Sequence, residues 1–121
     1  MARGDDPRSA LPQSESAPTF GEVADALITD IEGGFRNEKH IDQWRMTLGD
    51  AYCRDLRKLP VDKVATEHVL AVLQPIWLDK AETASRLRGR IERVLDSAKA
   101  RRLRDGENPA RWKGHLKLLL P

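Results

Sequence analysis

The chain has 121 residues, enough for one domain that buries a modest core unaided. Its 21 basic residues nearly balance 19 acidic ones, and a net charge of +2 does not by itself demand a polyanionic partner. A lone cysteine, Cys53, excludes an internal disulfide, and no apolar run has membrane-spanning length or signal-peptide form, so a cytoplasmic protein with no membrane partner is expected.

Residues 1–18 are rich in Pro, Ser, Asp and Arg without periodicity, and read as a mobile tail or linker. Thr19 opens the first helix, with Glu22 spaced to complete a capping box. Phe20, Val23, Ala24, Leu27 and Ile31 form its apolar face, and Gly33-Gly34 ends it. Asn37 is the expected cap of a second helix, in which Ile41, Trp44, Leu48 and Tyr52 pack inward. That helix should run to about Leu56, with Gly49 as its weak point. Leu59–Val64 is a short connection. Thr66 caps a third helix that buries Val69, Leu70, Leu73 and Ile76, and Pro75 kinks or ends it. Asp79 and Glu82 look like a capping pair for the fourth helix, which Gly106 and Asn108-Pro109 stop. The tail Lys113–Pro121 carries Leu116, Leu118, Leu119 and Leu120, an apolar patch wanting a partner. No stretch alternates as a strand would. The expected fold is all-α, a compact bundle of about four helices.

The fourth helix organises the chain. Ala84, Leu87, Ile91, Val94, Leu95 and Ala98 recur at steps of three, four and seven and share one face. Arg86, Arg90 and Arg93 gather on the opposite side, flanked by Thr83, Ser97 and Arg101. From Arg86 to Lys113 the chain carries ten basic residues against four acidic ones, a one-sided electrostatic footprint. A charged helix face is often only a solvated face. Here the stripe is nearly all arginine, the side chain suited to phosphate and base-edge forks, which points to a polyanion reader. Arg88 lies nearer the apolar face and reads as structural, paired with Glu92.

No catalytic constellation, cofactor motif or small-molecule site stands out. His40, His68 and His115 lack metal-ligand spacing, Gly33-Gly34 lacks the Lys-Ser/Thr of a phosphate loop, and Cys53 has no activating base nearby in sequence. The carboxylates are scattered, and the three tryptophans read as core.

These residues resemble the core-binding domain of prophage-type tyrosine recombinases, the phage integrases. The likeness runs through Thr19–Ala24, Asn37-Glu38-Lys39-His40 with Gln43-Trp44, Leu59-Pro60-Val61, Val69-Leu70, Leu73 and Pro75-Ile76-Trp77. It continues through Ala98-Lys99-Ala100, and its specific part is the combination of Glu82–Glu92 with Glu107–Trp112. Gly4–Pro7 resembles the end of the family's preceding arm-type DNA-binding domain, and Lys113–Pro121 the connector to its catalytic domain. The resemblance implies a four-helix, SAM-like bundle at 19–112, a linker at 1–18 and a connector at 113–121. It implies a partner in duplex DNA, the attachment core site, and in the full-length protein other recombinase protomers. Two helices would approach the major groove: the second near Asn37, Lys39, His40 and Gln43, and the fourth near Thr83, Arg86, Arg90 and Arg93. Lys99, Arg101 and Arg102, towards the helix end, are expected phosphate contacts, and Gln43, Arg86 and Arg90 are better placed for base edges. The family's catalytic Arg, Lys, His-x-x-Arg and Tyr lie beyond this region. Tyr52, the only tyrosine, is no nucleophile on this pattern, so the resemblance implies an excised domain that binds DNA and cuts nothing. The rival reading is a helical protein-interaction module supporting recombinase oligomerisation through the first helix and the leucine-rich tail.

Overall fold

A computed structural model describes residues 17–34 and 38–121. Asn37 and nearly all of the expected tail lie outside the described residues. The chain is all-α, as its periodicity requires: α1 (Phe20–Glu32), α2 (Glu38–Thr47), α3 (Asp50–Lys58), α4 (Thr66–Leu73) and α5 (Ala81–Ala100). Short 3-10 turns follow at Val61–Lys63, Gln74–Ile76 and Leu116–Leu118.

The Thr19/Glu22 capping box forms in both directions: Glu22 N–H donates to Thr19 Oγ1 at 3.1 Å, and Thr19 N–H donates to Glu22 Oε1 at 2.9 Å. The bundle entry is clipped by two backbone bonds, Phe20 N–H to Leu59 O at 2.8 Å and Val61 N–H to Pro18 O at 2.9 Å. The second expected helix is two. It breaks at Leu48-Gly49, where a Cβ on Gly49 would sit 2.8 Å from the Arg45 carbonyl oxygen. Only glycine lets α3 depart so close to the last turn of α2.

Three helix ends differ from expectation. Ala65, not Thr66, is the cap residue of α4, and His68 Nδ1 accepts the Ala65 N–H at 2.9 Å. Thr66 instead pairs its hydroxyl with His115 Nε2 at 2.8 Å. Asp79 does not cap α5: the cap position is Lys80 and no side chain bonds there, while Glu82 lies 3.5 Å from Arg86. Gly106 does not stop α5 either. The helix stops at Ala100, where Arg102 adopts φ 62° and Leu103 N–H returns to Ala98 O at 2.8 Å. This is a left-handed helix stop made with an arginine in the place glycine usually takes.

All six apolar positions forecast on α5 are buried, and α5 packs on α1 and α4 around Phe20, Ile28, Leu73 and Val69. The leucine tail divides: Leu116 and Leu120 join the core, while Leu118 and Leu119 stay exposed. Residues 101–121 are held down by polar ties. Arg104 donates to the Val61 and Val64 carbonyls at 3.1 Å, and Asn108 Nδ2 donates to Glu92 O at 2.8 Å. Trp77 stacks beside Trp112 at 5.3 Å and donates to Pro121 O at 2.8 Å.

Candidate nucleic-acid interface

The buried stripe of α5 fixes the rotation of its polar side, which turns towards α2. Trp44 is the floor between the two helices, only 9% exposed because Ile41, Trp44 and Leu48 follow the inward face of α2 and its end. The guanidinium carbons of Arg90 and Arg93 lie 5.6 Å and 5.5 Å from the Trp44 ring centre. Both cations therefore rest on one indole, an attraction that strengthens as water is excluded.

Arg90 is further fixed by hydrogen bonds. Its Nη1 donates to Thr47 Oγ1 at 2.9 Å and to the Gln43 carbonyl at 3.3 Å. The Thr47 hydroxyl donates in turn to that carbonyl at 2.8 Å. Burial, and after it the charge of Arg86, hold the Arg90 guanidinium below the ordinary arginine value, though it stays a cation at neutral pH. Arg86 is more open and pairs with the exposed Glu82 within α5. Gln43, Met46, Thr47, Glu82, Thr83, Arg86 and Arg90 together line a shallow cleft of about 220 Å³. The arrangement offers donors in fork geometry above an apolar floor, which suits a phosphate or a base edge.

Gln43, Thr83, Arg86 and Arg90 are thus brought to one cleft, with Arg93 beside it on Trp44. Lys39 and His40 are exposed in the first turn of α2. Lys99 and Arg102 are exposed around the end of α5, and Arg101 reaches across to Asp30 of α1 at 2.8 Å. Arg88 is structural, as its position on the helix implies. It pairs with Glu92 at 2.7 Å, donates to Ala110 O at 2.8 Å and lies 5.9 Å from the Trp112 ring.

Sequence reasoning missed Thr47 and Met46 as members of the cleft, and Trp44, read as core and buried there, as the ring beneath Arg90 and Arg93. The signal was present: Met46 and Thr47 follow Gln43 by three and four positions, the spacing of one helix face. Cys53 is buried, its thiol donating to Thr47 O at 3.4 Å, and burial pushes its pKa up to about 12 against the opposing pull of Arg57. Among the described residues no His, Cys, Asp or Glu group is arranged to hold a metal, and no helix is long and apolar enough to cross a membrane.

Comparison with known proteins gives the same direction. The model of the phage integrase central domain matches residues 20–115. A protein from Nitrosospira multiformis, known from a solution NMR structure, is 48% identical, with a TM-score of 0.70 over 82% of this chain and 93% of that one. No curated protein matches.

Proposed function

Because the chain belongs to the phage integrase central-domain family, we propose that it is the core-binding unit of a site-specific tyrosine recombinase and that α2 and α5 are its DNA-facing elements. The family gives it a recombinase-related DNA-binding role, and the match covers the central domain, not a catalytic one. On this reading it holds core-site duplex during integration and excision and makes no covalent step of its own. Residues 19–112 are the binding unit and 113–121 the connector towards a catalytic domain.

The observation that carries the proposal is the convergence of Arg86, Arg90 and Arg93 with Gln43 and Thr83 across the α2/α5 cleft. Roles divide by how each group is held. Arg86 and Gln43 are exposed and can reach base edges, Arg pairing with guanine and Gln with adenine. Arg90 is anchored on Thr47 and Trp44, so it presents a fixed charge and positions the cleft. Arg93, Lys99, Arg102, Lys39 and His40 supply phosphate contacts around it. Arg101 can join by exchanging Asp30 for a phosphate, because an exposed ion pair costs little to open. Four to six phosphate contacts correspond to a slope of log K against log salt of about −4 to −5, with affinity about micromolar for the domain alone.

The test is a fluorescence-anisotropy titration of duplex DNA across a salt range, with wild type and the Arg86→Glu/Arg93→Glu double variant. Both residues are exposed, so the variant should keep its thermal melt while losing binding at low salt. Binding that survives the reversal sinks the assignment of α5.

A second reading, protomer contact, is favoured by the exposed apolar side chains of Leu78 (75% exposed), Leu118 (78%) and Leu119 (50%). It predicts self-association that Leu118→Glu abolishes and that Arg86→Glu/Arg93→Glu leaves intact, read by sedimentation velocity.

A further inference from the structure

We infer that Met46 is a specificity-determining residue of the α2/α5 cleft, and that it reads the C5-methyl group of a thymine. The inference rests on the DNA-binding reading above and adds a ligand group to it.

Met46 is 49% exposed, and the other side chains that line the cleft are polar or charged. It lines the cleft with Gln43, Thr47, Thr83, Arg86 and Arg90. It contributes nothing to the core, whose α2 members are Ile41 and Trp44. An unbranched, polarisable thioether can adapt to a small apolar target.

In the major groove thymine is marked by one apolar feature, its C5-methyl, beside the O4 acceptor. Gln43 and Met46 are three positions apart on α2, a rise of about 4.5 Å, close to the roughly 3.4 Å step between base pairs. A helix laid in the groove can therefore place the Gln43 amide on one base pair and the Met46 thioether on the next. Arg90, pinned to Thr47 on the same helix, keeps the α2 face at a fixed distance from α5. The cleft then holds a base-edge fork at Arg86, an amide at Gln43 and a methyl-sized apolar contact at Met46.

The chemistry separates this contact from every hydrogen-bonding one, because uracil keeps O4 and loses only the methyl. The experiment selects tight-binding duplexes from a random pool with the 121-residue chain. Each thymine of a selected duplex is then replaced singly by deoxyuridine, and binding is measured by anisotropy. Wild type should lose about fourfold in affinity at one or two positions, the worth of one methyl-sized group. Met46→Ala should bind the thymine and uracil duplexes alike at those positions. Met46→Leu should restore the preference. Equal binding of thymine and uracil duplexes by wild type at every position, or a preference that persists in Met46→Ala, overturns the role of Met46 while leaving DNA binding standing. Absence of duplex binding even at low salt overturns both.

Discussion

Arg90 of α5 and Thr47 at the end of α2 share a 2.9 Å hydrogen bond that ties the proposed reading face together from within. Thr47 is 3% exposed, and its hydroxyl also satisfies the Gln43 carbonyl. Thr47→Val keeps the side-chain volume and removes both bonds. Urea denaturation should show a loss of about 1.5 kcal/mol, the low end for a bond to a charged group because water can still reach part of the guanidinium. DNA affinity should fall with it, since Arg90 is no longer held over the cleft.

The stop of α5 carries a second prediction. Arg102 sits at φ 62°, where an L side chain costs about 1–2 kcal/mol. Arg102→Gly should stabilise the protein by about 0.5–1 kcal/mol, because glycine removes the clash but gives back some chain entropy. It should also shallow the salt dependence of DNA binding by about one unit of slope if Arg102 meets a phosphate. A stabilised variant with an unchanged slope would remove Arg102 from the interface.

Cys53 gives a pH dependence with a defined sign. Its pKa is about 12 in the folded chain and 9.0 ordinarily. The unfolded thiol therefore ionises first, and stability present below pH 9 is lost as the pH rises towards 12. The slope is at most about 1.4 kcal/mol per pH unit. Between pH 8.5 and 10.5 the urea midpoint of wild type should fall faster than that of Cys53→Ala, so that the advantage of wild type, whose buried thiol fills the core, narrows as the pH rises. The native thiol should also resist alkylation until the chain unfolds.

Arg57 is a further keystone. It grips Asp25 of α1 with both Nη atoms, at 3.2 Å and 2.8 Å, and donates to Leu48 O at 3.0 Å where α2 ends. Arg57→Ala should cost about 1–2 kcal/mol and Asp25→Ala less than about 1 kcal/mol, because Asp25 is largely exposed. A double-mutant cycle by chemical denaturation isolates the coupling.

What sequence could and could not disclose follows from the range of each interaction. The α5 core face and the Thr19/Glu22 box are set by neighbours within one or two turns, and both are legible as periodicity. Gly49 was visible as a weak point. That it breaks the helix follows from the close approach of the Arg45 carbonyl, which no propensity scale contains. The arginine at the left-handed stop carries no signal at all, because a glycine stood four residues on and drew the expectation. The Arg90–Thr47 bond joins residues 43 apart and the Arg101–Asp30 pair residues 71 apart. Periodicity shows which way such side chains face but not whom they meet. The arginine stripe was therefore readable as a surface, and its division into a pinned Arg90 and an open Arg86 was not.

The placement of the tryptophans gives the molecule two separate optical gauges. Trp44 lies beneath two guanidiniums in the proposed DNA cleft, whereas Trp77 and Trp112 form a ring pair that clasps the end of the chain at Pro121. With Trp44→Phe, the remaining emission reports docking of the tail alone. With Trp77→Phe and Trp112→Phe, it reports the arginine-covered face alone. Occupation of the cleft and release of the tail can thus be followed independently in one unlabelled chain.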